Sequence, residues 1–278
     1  MILKVSDALS RNISAKCKKI KAFKQEDIDL FVEKDEDFSK IIRSIKLILE
    51  KNLFITIKNI GFVREKQIFE AFVKQFGIYY GQVEYTDIKI ECNYTGCNYN
   101  RIYFHNDDAI DIKNQPKYGF IQIQNEDPLK ITKNYIVKID DIVEYLEIHN
   151  NNLLKKLFEY KFPMLSYGIN YYGKNRDEII INEPILYKEK NIVNVRFDIH
   201  RIKYFYWKKL KQQSIEEKKI IYDFLNVCEK LKKELYLEKG DIFIHNNKRT
   251  LHDRGECSIE LLEDGSFNTR EIFVSFAR

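Results

Sequence analysis

The sequence predicts one α+β domain with a β-sandwich or barrel at its centre, and three observations predict it. Short segments rich in β-branched and aromatic residues dominate from about residue 82 onward. Segments with apolar residues at helical spacing stand on both sides of them. No Pro- or Ser-rich linker interrupts the 278 residues, which hold only four prolines, so strands and helices are left to share one core.

Taken in order, residues 1–37 are mixed and charged and show no clear period. Residues 38–51 place Phe38, Ile41, Ile42, Ile45, Leu47, Ile48 and Leu49 at mostly helical spacing, which predicts an amphipathic helix. Residues 53–57 form a short apolar strand, and 65–76 return to a helical pattern with Gly77 as its C-cap. Strands are expected at 82–85, 88–94, 102–105 and 118–124, the last alternating well over its second half. Short helices follow at 140–146 and 153–160, then strands at 178–181, 185–188 and 192–197. A long helix spans 215–235, and the turn Lys239-Gly240-Asp241 leads into a strand at 242–245. A strand at 259–262, a hairpin signal at Asp264-Gly265 and a strand at 270–276 close the chain. The reading is a single domain over 1–278, with 1–50 a helical or irregular extension and the core at about 53–278.

Composition removes several function classes. Net charge is +5, from 47 basic and 42 acidic residues, but opposite signs interleave, as in Glu216-Glu217-Lys218-Lys219. Such runs read as solvated helix faces, whereas nucleic-acid binding needs the excess on one face. The five cysteines include no C-x-x-C pair, and a zinc knuckle at Cys92 and Cys97 would need a second pair. The first 24 residues lack the apolar run of a signal peptide, and no stretch approaches a membrane span. A reducing, cytoplasmic setting is expected, with a small-molecule substrate and no nucleic-acid or membrane partner. A homo-oligomer stays open.

Chemistry concentrates in two stretches. His105 and Asp107, two apart at the end of a patterned segment, can project to one side of a strand and grip one metal ion. Residues 246–254 offer a second imidazole. Two His and one carboxylate, with open positions opposite, form the facial triad of non-heme Fe(II) oxygenases. His149 lies in a polar run that reads as an exposed loop, and His200 follows a strand, with a surface or a substrate-pocket role open to it. His245, on the strand after Gly240-Asp241, and His252, at the start of a connecting loop, compete for the distal position.

At these residues the chain resembles the taurine dioxygenase and clavaminate synthase-like branch of the Fe(II)/2-oxoglutarate-dependent oxygenases. The resemblance runs from about Leu53 to Phe276. The branch's opening strand and helix ending in Phe-Gly are similar to residues 54–57 and 65–77. Its His-x-Asp resembles His105-Asn106-Asp107. Its Gly-Asp, strand, Asp-Asn-x-Arg-x-x-His-x-Arg is similar to Gly240-Asp241 followed by Asn246 to Arg254, with Asn246 in place of the usual Asp. That register selects His252. The resemblance implies a double-stranded β-helix (jelly-roll, cupin-like) core flanked by helices, with Fe(II) held by His105, Asp107 and His252. It further implies 2-oxoglutarate and O2 as cosubstrates, Arg270 and Thr132 on the 2-oxoglutarate carboxylate, and release of succinate and CO2. A planar guanidinium suits that role because it pairs bidentately with a carboxylate.

The departures are specific. His252 and Arg270 stand 18 residues apart, longer than is common in the branch. The Gly-Gly before the Thr is missing, and Val274 stands where some amino-acid hydroxylases carry a second Arg for the substrate carboxylate. Asp107 is retained where the branch's halogenases have a small residue, which implies hydroxylation, desaturation or a related oxidation. Tyr103, Asn106, Asp108, Arg196 and Asp198 are the substrate-binding candidates, a set suited to an amino acid or its derivative. The alternatives are a zinc-dependent hydrolase at the same triad, although no H-E-x-x-H is present, and a non-catalytic small-molecule-binding protein of the same fold.

Overall fold

The computed structural model describes residues 1–92, 95–166 and 178–278. The N-terminal stretch without a readable period folds into β1 (Ile2–Lys4), α1 (Asp7–Ile20) and α2 (Gln25–Lys34). Local chemistry explains the start of α1, where the Ser6 hydroxyl caps Leu9 N–H. The helix at 38–51 is α3 (Glu36–Asn52), opened by Asp35, whose carboxylate accepts from Asp37 and Phe38 N–H. It leads directly into β2 (Phe54–Lys58), and α4 (Lys66–Lys74) follows with Gln75, not Gly77, as its C-cap.

β3 (Glu84–Asp87) begins two residues later than predicted. No strand occupies 88–92, and the rest of that expected strand, Asn93 and Tyr94, lies outside the described residues. The reason is tertiary: β3 loses its partner strand where the chain turns away at Arg270. Cys92 and Cys97 are joined by a disulfide across that segment.

Next come β4 (Ile102–His105), β5 (Tyr118–Asn125), β6 (Asn134–Lys138), α5 (Ile139–His149), α6 (Asn151–Glu159), β7 (Lys161–Leu165), β8 (Ile180–Pro184), β9 (Leu186–Glu189) and β10 (Ile192–Val195). α7 (Ile199–Lys208) went unread in the sequence, although Asp198 caps it and Ile199, Ile202 and Phe205 form its buried stripe. α8 (Ile215–Leu231) stops short of 235, because Lys233–Leu235 (β11) pairs with β6 instead. The chain ends with β12 (Ile242–Asn246), β13 (Thr250–Arg254), β14 (Ile259–Leu261), β15 (Phe267–Thr269) and β16 (Glu271–Ala277). The loop expected at His252 is thus a strand.

Two sheets dominate: a six-stranded one in the order β1-β2-β12-β5-β16-β3 and a four-stranded one in the order β11-β6-β13-β4. Together they make the double-stranded β-helix, or jelly roll. Period-two alternation sorts the side chains. Ile55 and Ile57 of β2 and Ile242 and Ile244 of β12 turn outward to pack under α1–α4. Phe54 and Phe243, on the same strands, turn inward to meet Ile136 of β6. The remaining helices cover the outer side of the smaller sheet through Phe104, Val137, Leu251, Phe197 and Phe224. Asp241 sets the start of β12, since its carboxylate accepts from Glu238 N–H and from Lys58 Nζ of β2. Phe54→Ala, which empties the joint between the sheets, should cost about 3–5 kcal/mol in urea unfolding. A loss below about 1 kcal/mol would show that the sheets are held together elsewhere.

Candidate metal centre

Strand pairing brings the two metal-ligand candidates together. In the antiparallel pair β13–β4, His252 lies directly opposite His105, and their rings sit 4.2 Å apart between centroids. His105 Nδ1–H donates to the Tyr103 carbonyl at 2.8 Å, which leaves Nε2 as the lone-pair nitrogen. His105 Nε2 lies 3.9 Å from Asp107 Oδ1, and His252 Nε2 lies 3.7 Å from Asp107 Oδ2. One donor atom from each of the three residues falls within 4.8 Å of the others.

Asp107 follows β4 on a short connection that two asparagines hold in place. Asn247 Oδ1 accepts from Asp107 N–H at 2.8 Å, and Asn247 Nδ2 donates to the Asp107 carbonyl at 2.9 Å and to the Pro116 carbonyl at 3.1 Å. Asn106 donates to the carbonyls of Val195 and Asn247 and accepts from Phe197 N–H. Its own N–H reaches the Phe197 carbonyl, and His105 bridges to Asp198. The amide of Asn106, a substrate candidate in the sequence, is therefore committed to the backbone.

Electrostatics fit a cation. Burial pushes the Asp107 carboxyl up to about 6, against the pull of His105. Burial drives His245 down to about 3 and His252 well below the ordinary imidazole range, so both rings stay neutral. Two imidazole nitrogens and one carboxylate suit a divalent transition metal. Metal–donor bonds of about 2.1 Å at right angles place neighbouring donors about 3 Å apart. The observed separations of 3.7 and 3.9 Å close to that with small side-chain movements.

The donors face a cavity of about 490 Å³ that Arg270, Asn134 and Arg254 also line. Arg270 is 5% exposed, and its polar contact is a 3.4 Å hydrogen bond to Asn134 Oδ1. Among the described residues no carboxylate lies within ion-pair distance of it. Burial pushes its guanidinium down to about 10. Arg254, by contrast, is tied to the carbonyls of Asn98 and Asn100.

The other sequence candidates scatter. Asp108 lines the cavity at φ 48°, and Asp198 lines it while capping α7 and pairing with Arg201 at 3.1 Å. Tyr103 is 40% exposed and stacks under Arg101 and Lys203, outside the cavity lining. Arg196 is buried over the Tyr187 ring, also away from the cavity. Thr132 donates to the Glu256 carbonyl in a loop organised by Asp127, and it does not line the cavity either. Sequence reasoning missed Asn134, Arg201 and Asn247, and left His200, which lines the cavity, between the surface and a substrate pocket. The first lies on a strand that was not read, and Asn247 was seen only as part of a motif. Asp198 followed by Ile199-His200-Arg201 was a readable N-cap signal for the other two.

No family model matches the sequence, and no curated protein matches it. Solved structures do. An asparagine oxygenase in complex with Fe(II), 3-hydroxyasparagine and succinate superposes with a TM-score of 0.71 at 12% identity, over 99% of this chain and 93% of that one. The non-heme iron oxygenase OrfP with iron, succinate and (3S)-hydroxy-L-Arg gives 0.73 at 13% identity, over 100% and 94%. OrfP with iron and alpha-ketoglutaric acid gives 0.71 at 14% identity, over 100% and 93%. At such identities the likeness establishes the fold. Asn247→Ala should weaken Co(II) binding about 10–100-fold in anaerobic titration calorimetry. Unchanged affinity in a natively folded variant would mean that Asp107 is held by other groups.

Proposed function

We propose that this jelly-roll protein is an Fe(II)- and 2-oxoglutarate-dependent oxygenase that oxidises an amino acid or a small amino-acid derivative, releasing succinate and CO2. One observation carries the reading: a His–Asp–His donor set and a buried arginine without a carboxylate partner share one cavity. Burying a guanidinium without a counter-ion is costly, so the site is built for an anion. A metal-chelating 2-oxo acid with a second carboxylate suits both features.

In this reading His105, Asp107 and His252 hold the iron, whose chemistry is the activation of O2. Arg270 receives the distal carboxylate of 2-oxoglutarate, with Asn134 orienting the guanidinium. Thr132, bonded to the Glu256 carbonyl, serves the neighbouring loop. Neighbours of the same fold hold hydroxylated asparagine or arginine together with succinate, which supports an amino-acid substrate here. Val274 lines the cavity as an apolar residue, so a substrate carboxylate needs another donor. Arg201, with Asp198 and Asp108 near it in the lining, is the group we assign to that side. Oxygenase neighbours that hold iron with alpha-ketoglutaric acid or succinate favour this reading over a zinc hydrolase or a non-catalytic binder.

Anaerobically loaded with Fe(II) and then given O2, the protein should convert 2-oxoglutarate to succinate, and faster with one member of an amino-acid panel. Asp107→Ala should abolish iron retention and turnover together. Arg270→Gln should raise KM for 2-oxoglutarate about 10–100-fold, the equivalent of a charge-assisted hydrogen bond of about 1.5–3 kcal/mol. No succinate under any condition, with tightly retained zinc, would replace this reading by the hydrolase.

A further inference from the structure

His245 lies beside the three donors without being one of them. It is fully buried, and its Nε2 has no hydrogen-bond partner among the described residues. That atom lies 4.0 Å from Asp107 Oδ2, and the ring centroid lies 4.7 Å from that of His252. A buried polar nitrogen left without a partner is destabilising, so its retention at this place calls for a ligand or a partner.

Three contacts fix where the nitrogen points. The ring stacks on Phe243, two residues back on the same face of β12. Gly119 is its direct partner across the β12–β5 pair, and a Cβ there would overlap His245 Nε2. The seat therefore requires glycine. On the far side of the ring, Nδ1 lies 3.0 Å from the Thr250 hydroxyl.

The tautomer follows from what surrounds it. The Thr250 hydroxyl has two acceptors in reach, His245 Nδ1 and the Asn246 carbonyl at 2.9 Å. Asp107 Oδ2, 4.0 Å from Nε2, can only accept when ionised, so it favours the tautomer protonated at Nε2, in which the Thr250 hydroxyl turns its proton from the Asn246 carbonyl to Nδ1. The ring proton then sits on Nε2, facing a carboxylate oxygen instead of setting a lone pair against it.

We propose that His245 is a positioning residue of the metal centre. Its Nε2–H donates a hydrogen bond to Asp107 Oδ2, which leaves Oδ1 to bind the metal and keeps the carboxylate from chelating through both oxygens. The distance must close from 4.0 Å to hydrogen-bond range, a movement of the same size as the one that draws His105 Nε2 and Asp107 Oδ1, 3.9 Å apart, onto an ion. The inference rests on the metal-centre reading above and adds a group to it.

The test uses the whole chain and Co(II), without 2-oxoglutarate or O2. His245→Phe keeps a ring over Gly119 and removes the N–H. It should bind Co(II) about 10–100-fold more weakly with an altered visible d–d spectrum, while its urea midpoint stays the same or rises. A residue serving packing alone would move the midpoint and leave the affinity. Thr250→Val keeps His245 and frees its tautomer, and about 2–10-fold weaker binding is expected from one neutral hydrogen bond. This variant also decides the matter if His245→Phe does not fold. Wild-type affinity and spectrum in a folded variant would overturn the role of His245 and leave the centre standing. Failure of the unaltered protein to take up Co(II) would overturn the centre itself, and this inference with it.

Discussion

The antiparallel register of β13 between β4 and β6 is the constraint on which the site depends. It sets His252 opposite His105 and turns both side chains into the space between the sheets. A slip of one residue would send His252 to the helix-covered face and bring Leu251 inward. Leu251 is buried against α5 and α8 in the observed register, so the apolar pattern of β13 and the metal chemistry select the same pairing. Hydrogen bonds between the Asn247 side-chain amide and the Asp107 backbone then locate Asp107 against that pair, which makes the third donor a consequence of the hairpin that also carries His252.

Two charges govern the cavity. Asp107 is held where burial disfavours its ionised form, and Arg270 is held where burial disfavours its charged form as well. Among the described residues neither has an ion-pair partner of opposite charge in Lys, Arg, Asp or Glu, whereas buried Asp253 pairs with Arg101 and buried Asp241 with Lys58. A cation at the first and an anion at the second would compensate both. The site is thus electrostatically incomplete in a way that specifies its ligands.

The cap of α7 is arranged around the same strands. The segment from Val195 to Arg201 is tied to β4 through Asn106, so the cap of α7 lies beside the metal donors. Asp198 and Arg201 reach the cavity from that cap, while Arg196, one turn of the alternation away, faces Tyr187. Position along the chain does not decide which of these touches a ligand. The direction of the side chain does.

Much of this was legible in the residues themselves. The amphipathic period of 38–51 and the capping chemistry at Asp35 are local, and the helix stands where they put it. His105-Asn106-Asp107, the Gly240-Asp241 turn and Arg270 carry chemistry that few other folds need at such spacings, so the donor set and the guanidinium could be named from sequence. Tertiary structure decided the rest. β6, β11 and β13 are strands because partners far along the chain supply their hydrogen bonds, and no local period announces them. Thr132 and Arg196 matched a pattern by position yet turn to a carbonyl and a tyrosine ring, since rotation of the backbone outside regular strands is set by packing. His245 and His252 looked like rivals for one role. They share the interior because β12 and β13 belong to opposite sheets, and only the space between those sheets reveals that one can bind a metal while the other steadies its carboxylate.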